Sequence, residues 1–278
     1  MDKGINVLSL FDGMSCGQIA LERANIKVNK YYASEIDKFA IKVTQENYPN
    51  TIQIGDVKEL KEKDLPKMDL LIGGSPCQSF SNAGGGKGFG GKSGLFWEYV
   101  RLLNKIKPKY FLLENVVMKK EWENIISDAI GVNPIKINSK LFSAQNRPRL
   151  YWTNIDVDNP VDKKIYLKDI IDNKVKEKYY LSEKAISRVN RNKFGGRLDA
   201  NINTEKSKTL IAGYYKIPSD GTYFNDGYGI RRYTPDECER LQTVPLGYTK
   251  TASDTQRYKM LGNGWTVDVI AHIFKNIK

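Results

Sequence analysis

Histidine is almost absent from this sequence: there is one, His272, within an apolar run. Ser-His-Asp and Cys-His catalysis, and metal sites built from several histidines, lose their central residue unless His272 is recruited. Cysteine is scarce too. Cys16, Cys77 and Cys238 are odd in number and show no CxxC spacing, which argues against both a disulfide scaffold and a zinc ribbon. No stretch reaches the roughly 18 apolar residues of a membrane helix, and the first residues run into a strand-like segment without a secretory pattern. A cytoplasmic location is therefore expected, with no membrane partner. Acidic residues are in deficit, 32 Asp and Glu against 44 Lys and Arg, and the net charge of +12 favours a polyanionic partner such as nucleic acid. Acid–base work would fall to carboxylates, and a nucleophile to a cysteine activated without histidine.

What is present is enough for a sizeable core. A chain of 278 residues, 40% hydrophobic and 27% charged, has room for one large domain or one large and one small. Residues 1–154 alternate between short apolar runs and helical patterns: strands are predicted at 5–10, 31–34, 51–54, 68–72, 110–113, 134–137 and 150–152. Helices are predicted at 17–24, from Asp37 to about 47, at 95–106 and at 119–130. Strands spaced by helices indicate βαβ units and a doubly wound, largely parallel sheet, in which ligands bind beyond the carboxyl ends of the strands. From 155 the texture changes. Between Lys184 and Lys216 eight basic residues face two acidic ones, Asp199 and Glu205, as in a small irregular domain. Order returns at Thr234-Pro235-Asp236-Glu237, a helix start with a Thr cap and Pro in the first turn, and an amphipathic helix is predicted at 267–277.

Chemistry-bearing residues fall at the predicted strand ends. Leu10-Phe11-Asp12-Gly13-Met14-Ser15-Cys16-Gly17 is a strand–turn–helix in which a glycine lets a ligand approach the backbone and a helix start offers free N–H groups. Glu35 ends the second strand, where an acid can bind ribose hydroxyls, and Asp56 follows the third, where a carboxylate can accept from an adenine amino group. A plain turn with solvated acids is the simpler explanation of each site alone. Gly73-Gly74-Ser75-Pro76-Cys77-Gln78 sets a cysteine just past a buried strand, although a free cysteine is more often structural. Glu114, in Leu113-Glu114-Asn115-Val116, ends the fifth strand, where the alternative is a capping acid. Gln145-Asn146-Arg147-Pro148-Arg149 puts two arginines around a proline, a pattern equally suited to a solvated loop.

Together, in this order and spacing, these segments resemble the motif series of the DNA cytosine-5 methyltransferases, with Thr234 to Gln242 and Leu261-Gly262-Asn263-Gly264 completing it. The resemblance runs from about Val7 to Phe274 and omits mainly the basic middle segment. Ser15-Cys16 stands where most bacterial members carry a Gly-Gly pair; Phe-Asp-Gly and the Gly-Gly-Ser-Pro-Cys run are also similar to the animal de novo enzymes, whereas the basic segment is nearer the bacterial and phage layout.

The resemblance implies a Rossmann-like S-adenosylmethionine-dependent methyltransferase fold, with a catalytic domain of 1–154 and 258–278 and a target-recognition domain of 155–257. It implies transfer of a methyl group from S-adenosylmethionine, leaving S-adenosylhomocysteine, to C5 of a cytosine flipped out of a short double-stranded DNA sequence. Cys77 would add to C6, Glu114 would contact N3 and the exocyclic amine, and Arg147 and Arg149 would orient the base and steady the cysteine loop. Phe11, Asp12, Gly13, Met14, Ser15, Cys16, Gly17, Glu35, Ile36, Asp56, Val57, Ser75, Pro76, Asn263, Gly264 and Trp265 would form the cofactor site, with Trp265 equally suited to a core. No step requires a metal. DNA contacts are expected from Ser79, Lys87 and Lys92, in a segment of 14 residues (79–92) with six glycines, and from Arg188, Arg191, Lys193 and Arg197. The expected state is a monomer, with a cognate restriction endonuclease as a partner the family allows. Rivals are a transfer RNA cytosine-5 methyltransferase and a non-catalytic DNA-binding relative.

Overall fold

In the computed structural model the described residues are 4–76, 94–189, 192–193, 197–198, 201–219 and 221–278. The first elements alternate: β1 (Ile5–Leu10), α1 (Cys16–Arg23), β2 (Val28–Ser34), α2 (Lys38–Asn47), β3 (Ile52–Gln53) and β4 (Leu70–Gly74). They continue as α3 (Phe96–Ile106), β5 (Tyr110–Val116), α4 (Lys120–Ile130), β6 (Ile135–Asn138) and β7 (Pro148–Thr153). These seven strands form one sheet in the order β3-β2-β1-β4-β5-β7-β6. β1 to β5 are parallel, whereas β7 runs antiparallel to both β5 and β6. The order reverses between β1 and β4, the switch point beyond which doubly wound sheets bind ligands.

The central strands are apolar along their whole length because a sheet with crossover helices is covered on both faces. Val7, Leu8, Leu10, Leu70, Leu71, Ile72, Leu112 and Leu113 are all fully buried. Phe96, Tyr99 and Leu102 of α3, and Ile126 of α4, pack with Leu8, Leu10, Leu71 and Leu113 of this set and with Trp152. The Trp152 indole N–H donates to Ser127 Oγ at 3.0 Å, so the largest core side chain leaves no buried donor unpaired. Local signals set the helix starts: Asp37 accepts the N–H of Phe39 at 2.9 Å and caps α2.

Beyond β7 lie α5 (Glu183–Val189), β8 (Asn192–Lys193), β9 (Arg197–Leu198), β10 (Asn201–Ile202), β11 (Thr222–Asn225), β12 (Ile230–Arg231), α6 (Pro235–Leu241), α7 (Asp254–Asn263) and α8 (Val267–Phe274). Contacts divide the chain into two compact units, Met1–Asn138 with Pro148–Asn159 and Val269–Lys278, and Ser139–Arg147 with Pro160–Asp268. This division differs from the sequence expectation at 154/155 and 257/258. It sends the β6–β7 connection, with Gln145 and Arg147, into the second unit and keeps α7 there. No helix among the described residues is long and apolar enough to cross a membrane.

Alongside aliphatic residues such as Leu181, Val189, Leu241 and Leu261, the second unit buries aromatic rings and paired charges. Tyr214 stacks on Tyr223 and Tyr233, at 6.1 and 5.8 Å between ring centroids, and meets Tyr258 edge-on at 5.7 Å. Tyr214 and Tyr223 are thus core residues. Glu237 is fully buried, yet its carboxylate accepts from both terminal nitrogens of Arg231 and from the backbone N–H groups of Asp172 and Thr234. Four acceptor positions are filled, the condition under which a buried carboxylate is tolerated. The Thr234 hydroxyl accepts the Glu237 N–H in return, closing a capping box at the start of α6.

Candidate active site

Three adjacent strand ends carry the first cluster. After β1 the chain turns sharply, with φ of 56° at Phe11, 60° at Gly13 and 60° at Ser15. Left-handed backbone at an aromatic and a serine is costly, and such strain persists where surrounding bonds enforce it. Here the Asp12 carboxylate accepts from the Ser15 hydroxyl and from Tyr31 Oη, and the Asp12 N–H donates to Ser34 O at 3.2 Å. Burial pushes the Asp12 carboxyl up to about 6, against the opposing pull of those hydroxyls, with nearby Glu35 adding to the rise.

Glu35, just after β2, accepts the N–H of Gly13 at 2.8 Å on one oxygen and those of Ile36 and Asp37 at 2.7 and 2.8 Å on the other. An ionised carboxylate offers about four acceptor positions, so one remains for a ligand hydroxyl. Ile36 beside it is 74% exposed. Asp56, beyond β3, accepts the Lys58 N–H at 3.0 Å, and Ser34 Oγ donates to the neighbouring Gly55 O at 2.7 Å. A methyl group built on Gly13 would meet nothing within 4 Å, so a ligand can lie against this backbone. The donor set suits an adenosyl group: carboxylates for ribose hydroxyls and an adenine amine, an exposed aliphatic face, and an open glycine turn. Met14, Ser15 and Cys16, in the turn, and Val57, beyond Asp56, are buried.

The second cluster lies one strand pair further on. β4 and β5 pair with Gly74 opposite Glu114, and the amide of Asn115 donates to Ser75 Oγ at 3.0 Å. Ser75 and Pro76 thereby lead out of the sheet beside a buried carboxylate. Arg149 stands opposite Val116 on β7, two residues from the register partner of Glu114 and on the same face. Its Nε approaches Glu114 Oε1 at 2.9 Å, with both side chains nearly buried. Cys77, Ser79, Lys87, Lys92 and Arg191 lie outside the described residues.

Arg147 does something different from Arg149, with which the sequence reading had paired it. Its guanidinium is buried and donates to the carbonyls of Leu210 at 2.8 Å, Gly262 at 3.2 Å and Gly264 at 2.9 Å, all within the second unit. Gln145 accepts the Leu210 N–H and donates to Leu241 O and to Gln242 Oε1. The two side chains hold the segment carrying Asn263, Gly264 and Trp265, of which Asn263 is exposed and Trp265 half-buried rather than core. Arg188 reaches back to the carbonyls of Lys216 and Ile217, while Lys193 and Arg197 fall on the paired strands β8 and β9. The sequence reading passed over Tyr31, whose hydroxyl fixes Asp12 from mid-strand; no local pattern marks it. Asn115 was visible beside Glu114, and its amide character was the available signal.

Comparisons with known proteins agree with this geometry. The family model "C-5 cytosine-specific DNA methylase" matches residues 5–278. The chain is 32% identical to the type II methyltransferase M1.ScrFI of Lactococcus lactis subsp. cremoris, over 95% of this chain and 75% of that protein. It is 32% identical to the type II methyltransferase M.NlaX of Neisseria lactamica, over 98% and 96% of the two chains. The fold matches the solved structure of the Entamoeba histolytica methyltransferase EhMeth with a TM-score of 0.79 at 18% identity, covering 99% of both chains. A family match over nearly the whole length, joined to a doubly wound sheet with acids at its cofactor end and a Glu–Arg pair beyond it, makes this chain a member of the C-5 cytosine-specific DNA methylases.

Proposed function

We propose that this enzyme methylates C5 of a cytosine flipped out of a short double-stranded DNA sequence, through a covalent bond between Cys77 and C6. The observation that carries the proposal is the Glu114–Arg149 pair at 2.9 Å, beside the Ser75-Pro76 exit toward Cys77. Cytosine C5 is a poor nucleophile. Addition of the Cys77 thiolate to C6 forms an S–C6 bond and moves electron density onto C5. Glu114 contacts N3 and the exocyclic amine, where charge develops during that addition, and Arg149 fixes the Glu114 carboxylate while turning its remaining donors toward O2. Arg147 acts as a positioning residue through the carbonyls it holds. When bound, S-adenosylmethionine supplies an electrophilic methyl group. Glu35, Asp56, Phe11, Ile36 and the open turn at Gly13 would hold its adenosyl part. Loss of the C5 proton to water, its electron pair restoring the C5–C6 double bond as the Cys77 thiolate departs, then releases 5-methylcytosine.

Cysteine chemistry supports the same assignment. Cys16 and Cys238 are both buried, and burial pushes the Cys238 thiol well above its ordinary value, so neither is a ready thiolate. The relative M.NlaX is a type II methyltransferase, which makes a cognate restriction endonuclease a natural partner to seek.

Fluorine at C5 tests the mechanism because it cannot leave as a proton does. A duplex carrying 5-fluorocytosine at the target, incubated with S-adenosylmethionine, is expected to give a denaturation-resistant complex of one enzyme per duplex. Cys77→Ser should abolish it, since a hydroxyl without a neighbouring base stays protonated at neutral pH, and Cys238→Ala should leave it intact. An adduct that survives Cys77→Ser, or that maps to another cysteine, overturns the assignment.

A further inference from the structure

Four cations of the second unit converge on three consecutive residues, Tyr215, Lys216 and Ile217. The ammonium groups of Lys216 and Lys259 lie over the Tyr215 ring, at 5.6 and 5.8 Å from its centroid. Arg232 donates to Tyr215 O at 3.2 Å, and Arg188 donates to Lys216 O at 2.9 Å and to Ile217 O. Ile217 is itself held at φ 55°, an outlier for a β-branched side chain, so the segment is fixed in a conformation it would not adopt alone.

Among the described residues no carboxylate lies within ion-pair distance of this cluster. Acids of the second unit pair elsewhere: Asp226 and Glu237 with Arg231, Asp236 and Glu239 with Arg257, Asp172 with Arg240, Asp254 with Lys178 and Asp268 with Lys163. Among the described residues, Lys216, Lys259, Arg232 and Arg188 form no ion pair. Like charges gathered around one aromatic ring repel, and each cation–π contact offsets only part of that repulsion. A polyanion laid across the cluster would relieve it.

We infer that Lys216 and Lys259, set around Tyr215 and backed by Arg232 and Arg188, form a contact site for consecutive backbone phosphates of the duplex substrate. The inference rests on the DNA-methylation reading for the identity of the polyanion. Of Arg188, Arg191, Lys193 and Arg197, which the sequence suggested for DNA contact, the site shares only Arg188. It positions the duplex and carries no base information, since phosphates are the same at every step.

Salt dependence tests it. Binding of the full chain to a fluorescein-labelled duplex, followed by anisotropy from 50 to 300 mM KCl, gives the slope of log K against log[salt]. Each phosphate contact removed should flatten that slope by about 0.9. Lys216→Gln and Lys259→Gln should each lose about one unit and the double variant about two, while Lys216→Arg should keep the wild-type slope. Lys105→Gln, an equal charge change at an exposed position of α3, should leave it unaltered. Wild-type slopes in both glutamine variants, or an equal loss in Lys105→Gln, would overturn the site. The fluorocytosine adduct separates the two proposals. An adduct with unaltered slopes removes the phosphate site and keeps the methylation reading; flattened slopes without an adduct do the reverse.

Discussion

Asp12 shows how much one side chain in a turn can matter. Its folded-state carboxyl sits at about 6 against an ordinary value of 3.8, chiefly because burial disfavours the charge. Between those values the native state holds more protons than the unfolded chain, so stability falls as pH rises from about 4 to about 6, and the loss is complete above that window. The shift corresponds to something on the order of 1–3 kcal/mol, given that part of the residue remains open to water. Asp12→Asn keeps the shape and removes the charge. Urea unfolding of both proteins should therefore show the variant gaining on the wild type between pH 4.5 and pH 7.5, and a pH-independent difference would contradict the burial argument. The candidate site residues differ in how far they could be read from sequence. Glu35 and Glu114 are legible because each directly follows or ends an apolar strand. The division of labour between Arg147 and Arg149 is not, because the partners of Arg147 are more than 60 residues away in the chain.

Elements were legible where their signals are local. The Asp37 cap of α2 and the Thr234 capping box of α6 both depend on contacts within three residues, and both appear where the sequence puts them. β2 begins at Val28 instead of 31 because its first residues are partly solvated and lack the apolar run that marks the rest. The antiparallel insertion of β7 between β5 and β6 has no local signal at all. Neither does the approach of α7 to the segment before Tyr214. A methyl group added at Gly262 would lie 2.2 Å from Ala212 N and from the carbonyl carbon of Ile211, which are backbone atoms that cannot swing aside. Gly262→Ala should thus cost about 3 kcal/mol or more. Gly213→Ala, whose nearest neighbour would be 3.9 Å away, is the matched control and should be tolerated. Thermal melting of the two variants side by side checks the contrast; equal melting temperatures would mean that the helix can shift.

On the scale of the whole molecule, the charge of +12 sets how the protein meets its substrate. Long-range attraction acts before any specific contact forms, and it is screened beyond a Debye length of about 10 Å at 0.1 M salt. The association rate with a duplex should fall steeply from 50 to 300 mM KCl while the dissociation rate changes less. Stopped-flow measurement distinguishes this from a salt effect confined to the bound state, in which the association rate would stay constant. The excess charge was plain in the sequence, but which cations remain unpaired was not, because pairs such as Lys178 with Asp254 join residues 76 apart.

The path of the chain through its two units has a consequence for synthesis. The first unit takes in residues 1–138 and 148–159, and then receives 269–278 only after about 110 residues of the second have been made. At the usual pace of about 5–20 residues per second, the nascent sheet therefore waits roughly 5–20 s on the ribosome without that segment. Val269, Ile270, Ile273 and Phe274 are fully buried once it arrives. Until then, the apolar surface they cover stays open to solvent and to chaperones.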